Sequence, residues 1–434
     1  MMTRFARRFG MVSLFTLMMA GMARAEGPEI FTSDDPALPL GSVQTGPKFL
    51  NLSRGVGSAL FHMPGDADNV FYSITDRGPN IDCAEAEELL GADFNKMCAG
   101  DEKAKIFPQP DFVPTIQRLE PGEGGKFAVK DIVKLSDANG KPITGLPNPL
   151  KVAKTEHAFD KDGKPVDFDP NGLDTEGLVR LSDGSFWISD EYGPSLVHAA
   201  ADGKIIERLV PQGTEGDYAG ATYKISGTLP AILAKRQLNR GMEGVAVSPD
   251  EKFLYGLMQN PLANPDADAF KKANATRILK IEAATGKPVG EFVFLLDPHT
   301  TFKADKKAEK QSDVRLSEIT AVGADKLVVL ERISKTAKLQ LVDLSTGTDI
   351  LGTAWDDAAT SPSLEQADLT KADVKPVTKT LWFDSSEMPD VPSKIEGVAI
   401  PAPDTLVIIN DDDFGIDGKS TTKIVRMKLA LPAM

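Results

Sequence analysis

The sequence predicts an all-β chain folded as a β-propeller with four-stranded blades, and three observations predict it. A hairpin opened by a glutamate returns along the chain, and from Glu176 onward its copies stand 67, 75 and 78 residues apart. Most copies are followed by two further β-prone runs, giving four strands per unit. The last unit is one strand short, as expected where an N-terminal strand completes the final blade and closes a ring. An open array of β-sandwiches explains the repeats but not that shortfall.

The clearest copy runs from Asp169 to Ser195. Glu176 and Gly177 open an apolar run ending at Leu181, and Ser182-Asp183-Gly184 turns the chain into Phe186–Ser189, which ends in Asp190 and Glu191. Two β-prone runs joined by an Asp-Gly turn read as a hairpin. Glu243 and Gly244 open a second copy ending at Gln259-Asn260, Glu318 a third ending at Glu331-Arg332, and Glu396 a fourth ending at Asn410-Asp411. The earliest copy has Ser58 in place of the glutamate and ends at Asp76-Arg77. Five copies are therefore visible, and the divergent linkers have room for a sixth.

In chain order, an irregular segment, 26–46, leads to a strand at Lys48–Leu52, the expected closing strand of the last blade. After the first hairpin comes a polar, helix-prone insertion, residues 80–112, carrying Cys83 and Cys98. Strands follow at Val113–Leu119 and Phe127–Leu135, then at Leu196–Ala199 and Ile205–Val210 after the central hairpin. Leu229–Gln237 reads as a short helix-like connection, and TRILKIEA, VGEFVFLL, AKLQLVDL, KTLWFD and TKIVRMKL supply the remaining strands.

Residues 1–25 combine Arg4, Arg7 and Arg8, an apolar core from Met11 to Met22 and a small-x-small ending at Ala25. That is the pattern of a secretory signal peptide, with an apolar core short for a bilayer span of about 20 residues. The expected product is periplasmic or secreted, without a stable membrane anchor. Losing the leader removes four arginines and no acid, which takes the formal charge from -14 to -18. Such a charge argues against nucleic acid as a partner. In an oxidising compartment Cys83 and Cys98 read as a local disulfide, worth about 3 kcal/mol on a chain-entropy estimate. A catalytic or metal-binding thiol pair is the alternative, although the spacing fits no common zinc pattern.

In a ring of blades, a residue repeated at the start of each first strand is repeated around the axis. Glu176, Glu243, Glu318 and Glu396 are therefore expected to converge. Facing carboxylates raise one another's pKa unless a cation intervenes, and calcium, with 6 to 8 oxygen ligands, suits such a ring. The alternative is that each glutamate caps backbone amides of the next blade. The second-strand endings should reach the same rim. Asp190, Glu191, Arg77 and Arg332 are the catalytic candidates, and Asp76, Tyr192, Asn260, Asn410 and Asp411 the substrate-binding ones, with Phe414 as a further wall. Arg77 and Arg332 could fork onto an anion such as phosphate or simply pair with nearby acids. No G-x-S-x-G elbow, P-loop, dinucleotide fingerprint or HExxH motif occurs in the chain.

The run from Asn171 to Pro211, with GMEGVAVSPDEKFLYGLMQNPL, LVVLERIS and KIEGVAIPAPDTLVIINDDDF, resembles the bacterial phytase-like family called "esterase-like activity of phytase". The resemblance covers essentially the whole of 26–434 and implies a single exported β-propeller domain. The Arg-His-Gly core of histidine phosphatases is absent, so phytase-like activity would have to use a metal. The resulting expectation is a calcium-dependent hydrolase acting on a small anionic ester, most plausibly a phosphoric ester. A non-catalytic ligand-binding or scaffold propeller is the alternative.

Overall fold

The structure, a computed structural model, describes residues 27–151 and 155–434. The expected leader, 1–25, lies outside the described residues. The chain forms a β-propeller whose blades are antiparallel sheets set around a central axis. In blade 1, Phe61 bridges Tyr72 at the inner edge, and Phe71–Ile74, Thr115–Pro121 and Phe127–Lys134 follow outward. Blade 2 consists of Thr175–Arg180, Phe186–Asp190, Ser195–Ala199 and Ile205–Pro211, with Lys224–Leu229 added in parallel at its outer edge. Blade 3 consists of Met242–Val247, Phe253–Met258, Ala275–Glu282 and Lys287–Leu295. Blade 4 is built from Arg315–Gly323, Lys326–Arg332, Ala337–Asp343 and Thr378–Asp384. Blade 5 is built from Ile395–Ala402, Thr405–Asn410 and Ile424–Lys428, completed by Glu29–Phe31.

The apolar runs of the sequence follow from this stacking. The first two strands of a blade have a neighbouring blade on each face, so a run such as Leu406-Val407-Ile408-Ile409 in a second strand is buried throughout. Thr378–Asp384, at an outer edge, is largely accessible. The core is divided into five packed layers, one between each pair of blades. Ile74 and Ile116 meet Leu178 and Ile188 between blades 1 and 2. Val179 and Trp187 meet Val245 and Leu254 between blades 2 and 3, and Tyr255 and Ile278 meet Ile319 and Val329 between blades 3 and 4. Val328 and Leu339 meet Val398 and Ile408 between blades 4 and 5. The fifth layer, Val407, Ile409 and Ile424 against Phe71 and Leu119, brings blade 5 back to blade 1. The ring therefore closes on five blades. The junction is close-packed at Gly397, where a methyl group would stand 2.6 Å from Ala59 C and Leu60 N.

The closing strand is not the expected one. Glu29–Phe31 pairs antiparallel with Ile424–Lys428, while Lys48–Ser53 pairs with Pro39–Thr45 as a separate hairpin. Reach explains the difference. The outer edge of a four-stranded blade lies about 14 Å from its inner strand, and the four residues from Leu52 to Val56 span at most about 14 Å when fully extended, which leaves no slack for a turn. Phe31 has no such tether. The side chains of Leu50 and Leu52 instead enter a small core with Ile81, Cys83, Leu90, Cys98 and Phe159. That core lies beside a sheet in which Ile81–Asp82 and Lys105–Phe107 of the insertion are joined by Ala158–Asp160 and Pro165–Val166 from the segment before blade 2, with the insertion's two short helices alongside. The expected Cys83–Cys98 disulfide is present, with Cα atoms 6.1 Å apart.

Phe31 is 4% exposed and carries the apolar contact of the closing strand. Phe31→Ala is expected to cost about 3 kcal/mol. Denaturant unfolding should show a lower midpoint with an unchanged slope.

Candidate functional site

One mouth of the central channel opens into a cavity of about 410 Å³ whose walls are almost entirely charged. Strand register explains which side chains reach it. Each inner strand of blades 2 to 5 carries a β-bulge near its start, opposite the end of its hairpin partner. A bulge inserts one unpaired residue and re-aims its side chain. Met242 pairs with Met258 and Gly244 with Leu257, which leaves Glu243 as the extra residue. Ile395 pairs with Asn410 and Gly397 with Ile409, which leaves Glu396. Glu176 lies in the corresponding break of blade 2.

In blade 4 the bulge falls one residue earlier than the repeat suggested. Leu316 pairs with Glu331 and Glu318 with Leu330, so Ser317 is the extra residue. Glu318 then occupies the place of Gly244 and Gly397, below the cavity. Its carboxylate accepts the N–H of Ile319 at 2.9 Å and that of Leu60, on blade 1, at 3.3 Å. Arg315 lines the charged cavity, Thr320 and Ala321 line a separate apolar cavity at the opposite mouth, and Glu318 stands between them. Of the four glutamates expected to converge, the cavity contains Glu176, Glu243 and Glu396.

The same register aligns two further positions. Two residues before the bulged residue (Glu176, Ser317 and Glu396) stand Asp174, Arg315 and Lys394, and at the partner strands' ends stand Glu191, Gln259, Arg332 and Asp411; all of them line the cavity. Asp174, Arg315 and Lys394 were missed in the sequence. Strand alternation was the available signal, since residues i and i+2 share a face. Arg240 and Asn239 also line the cavity from a connecting segment, and Lys105 from a strand of the insertion, all without a repeated signature.

The cavity is electrostatically divided. On one side, Asp76, Asp174 and Glu176 place carboxylate oxygens within 4.8 Å of one another. Both carboxylate oxygens of Asp174 are buried without a hydrogen-bond partner, although Arg77 Nη1 lies 3.2 Å from Oδ2. Burial raises all three pKa values, and mutual repulsion adds to the rise, from Asp174 on Asp76 and from Asp76 and Glu243 on Glu176. On the other side, Arg332 donates to Ser317 Oγ at 2.7 Å and pairs with Glu396, while Arg240 lies 3.3 Å from Glu191. Arg315 has no carboxylate partner among the described residues, and its Nε is buried unpaired. Burial, then the charges of Arg240 and Arg332, lower its pKa.

The other expected residues divide into those at the wall and those behind it. Asp76, Glu191, Asp411 and Phe414 line the cavity, with Asp411 held 3.0 Å from Lys394. Arg77 reaches the wall but is occupied: Nη1 contacts Glu156 at 2.7 Å, Nε donates to Gly145 O at 3.0 Å, and the rings of Phe107 and Tyr192 flank the guanidinium. Asp190 is fully buried behind the cavity, 2.9 Å from Arg208, and accepts the N–H of Asp174 at 3.1 Å. Tyr192 also lies behind it, where its hydroxyl accepts the N–H of Glu156 at 2.9 Å. Asn260 donates to Val314 O at 2.7 Å, and Asn410 donates to Asp411 O at 3.0 Å. These last three amide and hydroxyl groups hold loops in place around the site.

The phytase-like family, described as "esterase-like activity of phytase", matches residues 55–414. The chain belongs to this family. The match includes all five inner strands and every residue of the acid and arginine groups. An uncharacterized secreted protein of Arthroderma benhamiae is 29% identical to this phytase-like chain over 200 residues, 39% of each protein's length. Among solved structures, a calcium-binding protein, regucalcin, of Agrobacterium tumefaciens is 11% identical, with a TM-score of 0.35 over 91% of this chain and 96% of that one. A luciferin-regenerating enzyme is 12% identical, with a TM-score of 0.34 over 94% and 98% of the two chains.

Glu318 gives a test of the register. Burial holds its carboxyl well above the usual range, so the folded state keeps the proton more tightly than the unfolded state. Stability should fall as pH rises from the unfolded value of about 4.3 through the folded one. Glu318→Gln removes that dependence. The variant should melt with the native protein at pH 4 and above it at pH 8.

Proposed function

We propose that this phytase-like protein is an exported, divalent-cation-dependent hydrolase of anionic esters, with phosphoric esters as the leading class. One observation carries the reading: a carboxylate triad, with Asp174 and Glu176 buried and Asp174 unsatisfied, faces across one cavity an arginine without an acid partner among the described residues. The secreted relative and the buried disulfide support export.

Asp76, Asp174 and Glu176 fit a hard cation. They offer only oxygen donors, they are close together, and their raised pKa values express a repulsion that a cation relieves. Calcium, with room for water or carbonyl oxygens, is the ion of choice. When bound, such an ion supplies charge stabilisation at the ester oxygen and acidifies water. The chain's own groups do the rest. Arg77 and Asp190 position Asp174, one through its side chain and the other through its backbone N–H. Arg315 holds the anionic oxygens, beside Arg332 and Arg240, whose orientations are already fixed by Glu396 and Glu191. Glu191, its carboxyl raised by burial and by Asp174, takes the proton from the attacking water.

The lining contains no serine, threonine, cysteine or histidine among the described residues, so an acyl- or phospho-enzyme route has no nucleophile of those kinds here. The same fact favours the second reading, a binding propeller that holds an anion and a cation without chemistry.

Phosphate release from an aryl phosphate separates the two. Hydrolysis is expected with added calcium and not with a chelator, and Asp174→Asn should lower kcat by about 100-fold or more. Absence of release under both conditions would favour the binding reading. Calcium binding should also expel protons from the triad, so calorimetric heats should vary with the buffer's ionisation enthalpy and affinity should weaken as pH falls.

A further inference from the structure

The opposite mouth of the channel holds a cavity of about 600 Å³, larger than the charged one and walled mainly by apolar side chains. Strands that converge on an axis leave a gap there that only side chains can fill. Here the side chains are small. Ala246, Ala321 and Ala399 all line the cavity, at places where larger residues would close it. The strand register orders the wall above them. Four residues after the bulged residue stand Val247 in blade 3, Ala321 in blade 4 and Ile400 in blade 5, each half-buried, and Phe61 completes the wall from blade 1.

In blade 2 the same position is Arg180. Its guanidinium rests over the ring of Tyr72, 5.1 Å from the centroid, and has no carboxylate partner among the described residues. An aromatic face holds such a group in place without using its N–H donors. The acids of the wall are placed elsewhere. Glu251 accepts the N–H and the hydroxyl of Ser182 at 2.8 and 2.7 Å, Asp66 accepts the Tyr72 hydroxyl at 3.2 Å, and Asp68 is exposed. An apolar cavity of this size with one oriented charge has the form of a small-molecule site.

We propose that the opposite mouth binds one medium-chain aliphatic carboxylate, with its chain between the strand ends and its carboxylate on Arg180. The forked donors of an arginine match the two oxygens of that head group. Glu318 separates this site from the charged cavity, so occupancy needs neither the cation nor hydrolysis.

The test is calorimetric titration of the full chain with decanoate, octanoate and decyltrimethylammonium, each below its micelle concentration. Decanoate is expected to bind once per chain, about tenfold or more tightly than octanoate, because two further methylene groups are buried. The cationic amphiphile should not bind. Arg180→Gln should weaken decanoate about tenfold while keeping its advantage over octanoate. Ala321→Phe should fill the cavity and abolish binding, and Arg180→Gln decides alone if the larger side chain disrupts the fold. No saturable binding, equal binding of the cationic amphiphile, or full affinity in Arg180→Gln would each overturn the proposal. So would a dimer in sedimentation that Ala321→Phe dissociates, since a second copy would then occupy the mouth. Loss of aryl phosphate hydrolysis with decanoate binding intact would remove only the catalytic reading, and the reverse result only this one.

Discussion

The structure depends on how closely five inner strands approach one axis. A methyl group on Gly177 would stand 2.7 Å from Val245 N, and one on Gly397 would meet the backbone of Ala59 and Leu60 at 2.6 Å. These contacts leave no space for a β-carbon, which is why glycine follows the glutamate in three blades. The preceding bulge swings each glutamate toward the cavity as its glycine seats against the neighbour. The spacing that closes the ring also sets the spacing of the charges.

That coupling explains the balance of charge in the cavity. Fully buried charges are costly unless paired and hydrogen-bonded. Most groups here are matched: Arg77 with Glu156, Arg332 with Glu396, Lys394 with Asp411, and, behind the wall, Arg208 with Asp190. Among the described residues the unmatched groups fall on two sides: Asp76, Glu176 and Glu243 have no ion pair and Asp174 retains carboxylate oxygens without a hydrogen bond, while Arg315 has no acid across the cavity. Such exceptions mark candidate functional positions.

The architecture was legible in the sequence because it is periodic. The hairpins, the four-strand units and the cysteine pair all follow from local patterns. Closure was legible as a requirement, but its agent was not, because Glu29-Ile30-Phe31 is too short to show alternation. The ring of glutamates was legible to within one residue, whereas Asp174, Arg315 and Lys394 were not read and Asp190, Tyr192, Asn260 and Asn410 do not line the cavity. Glu318 aligns with the other glutamates by eye, yet it lacks the glycine that follows them, and that missing Gly marks the shifted bulge. Arg77 pairs with Glu156, 79 residues away, and no local pattern encodes such a partner.

Glu318 also has a consequence for the ring as a whole. Its side chain reaches across the axis to the backbone N–H of Leu60, so blades 4 and 1, which share no packed layer, are tied to each other beneath the charged chamber. It acts as a cross-brace, and a shift of one blade is felt on the far side of the axis.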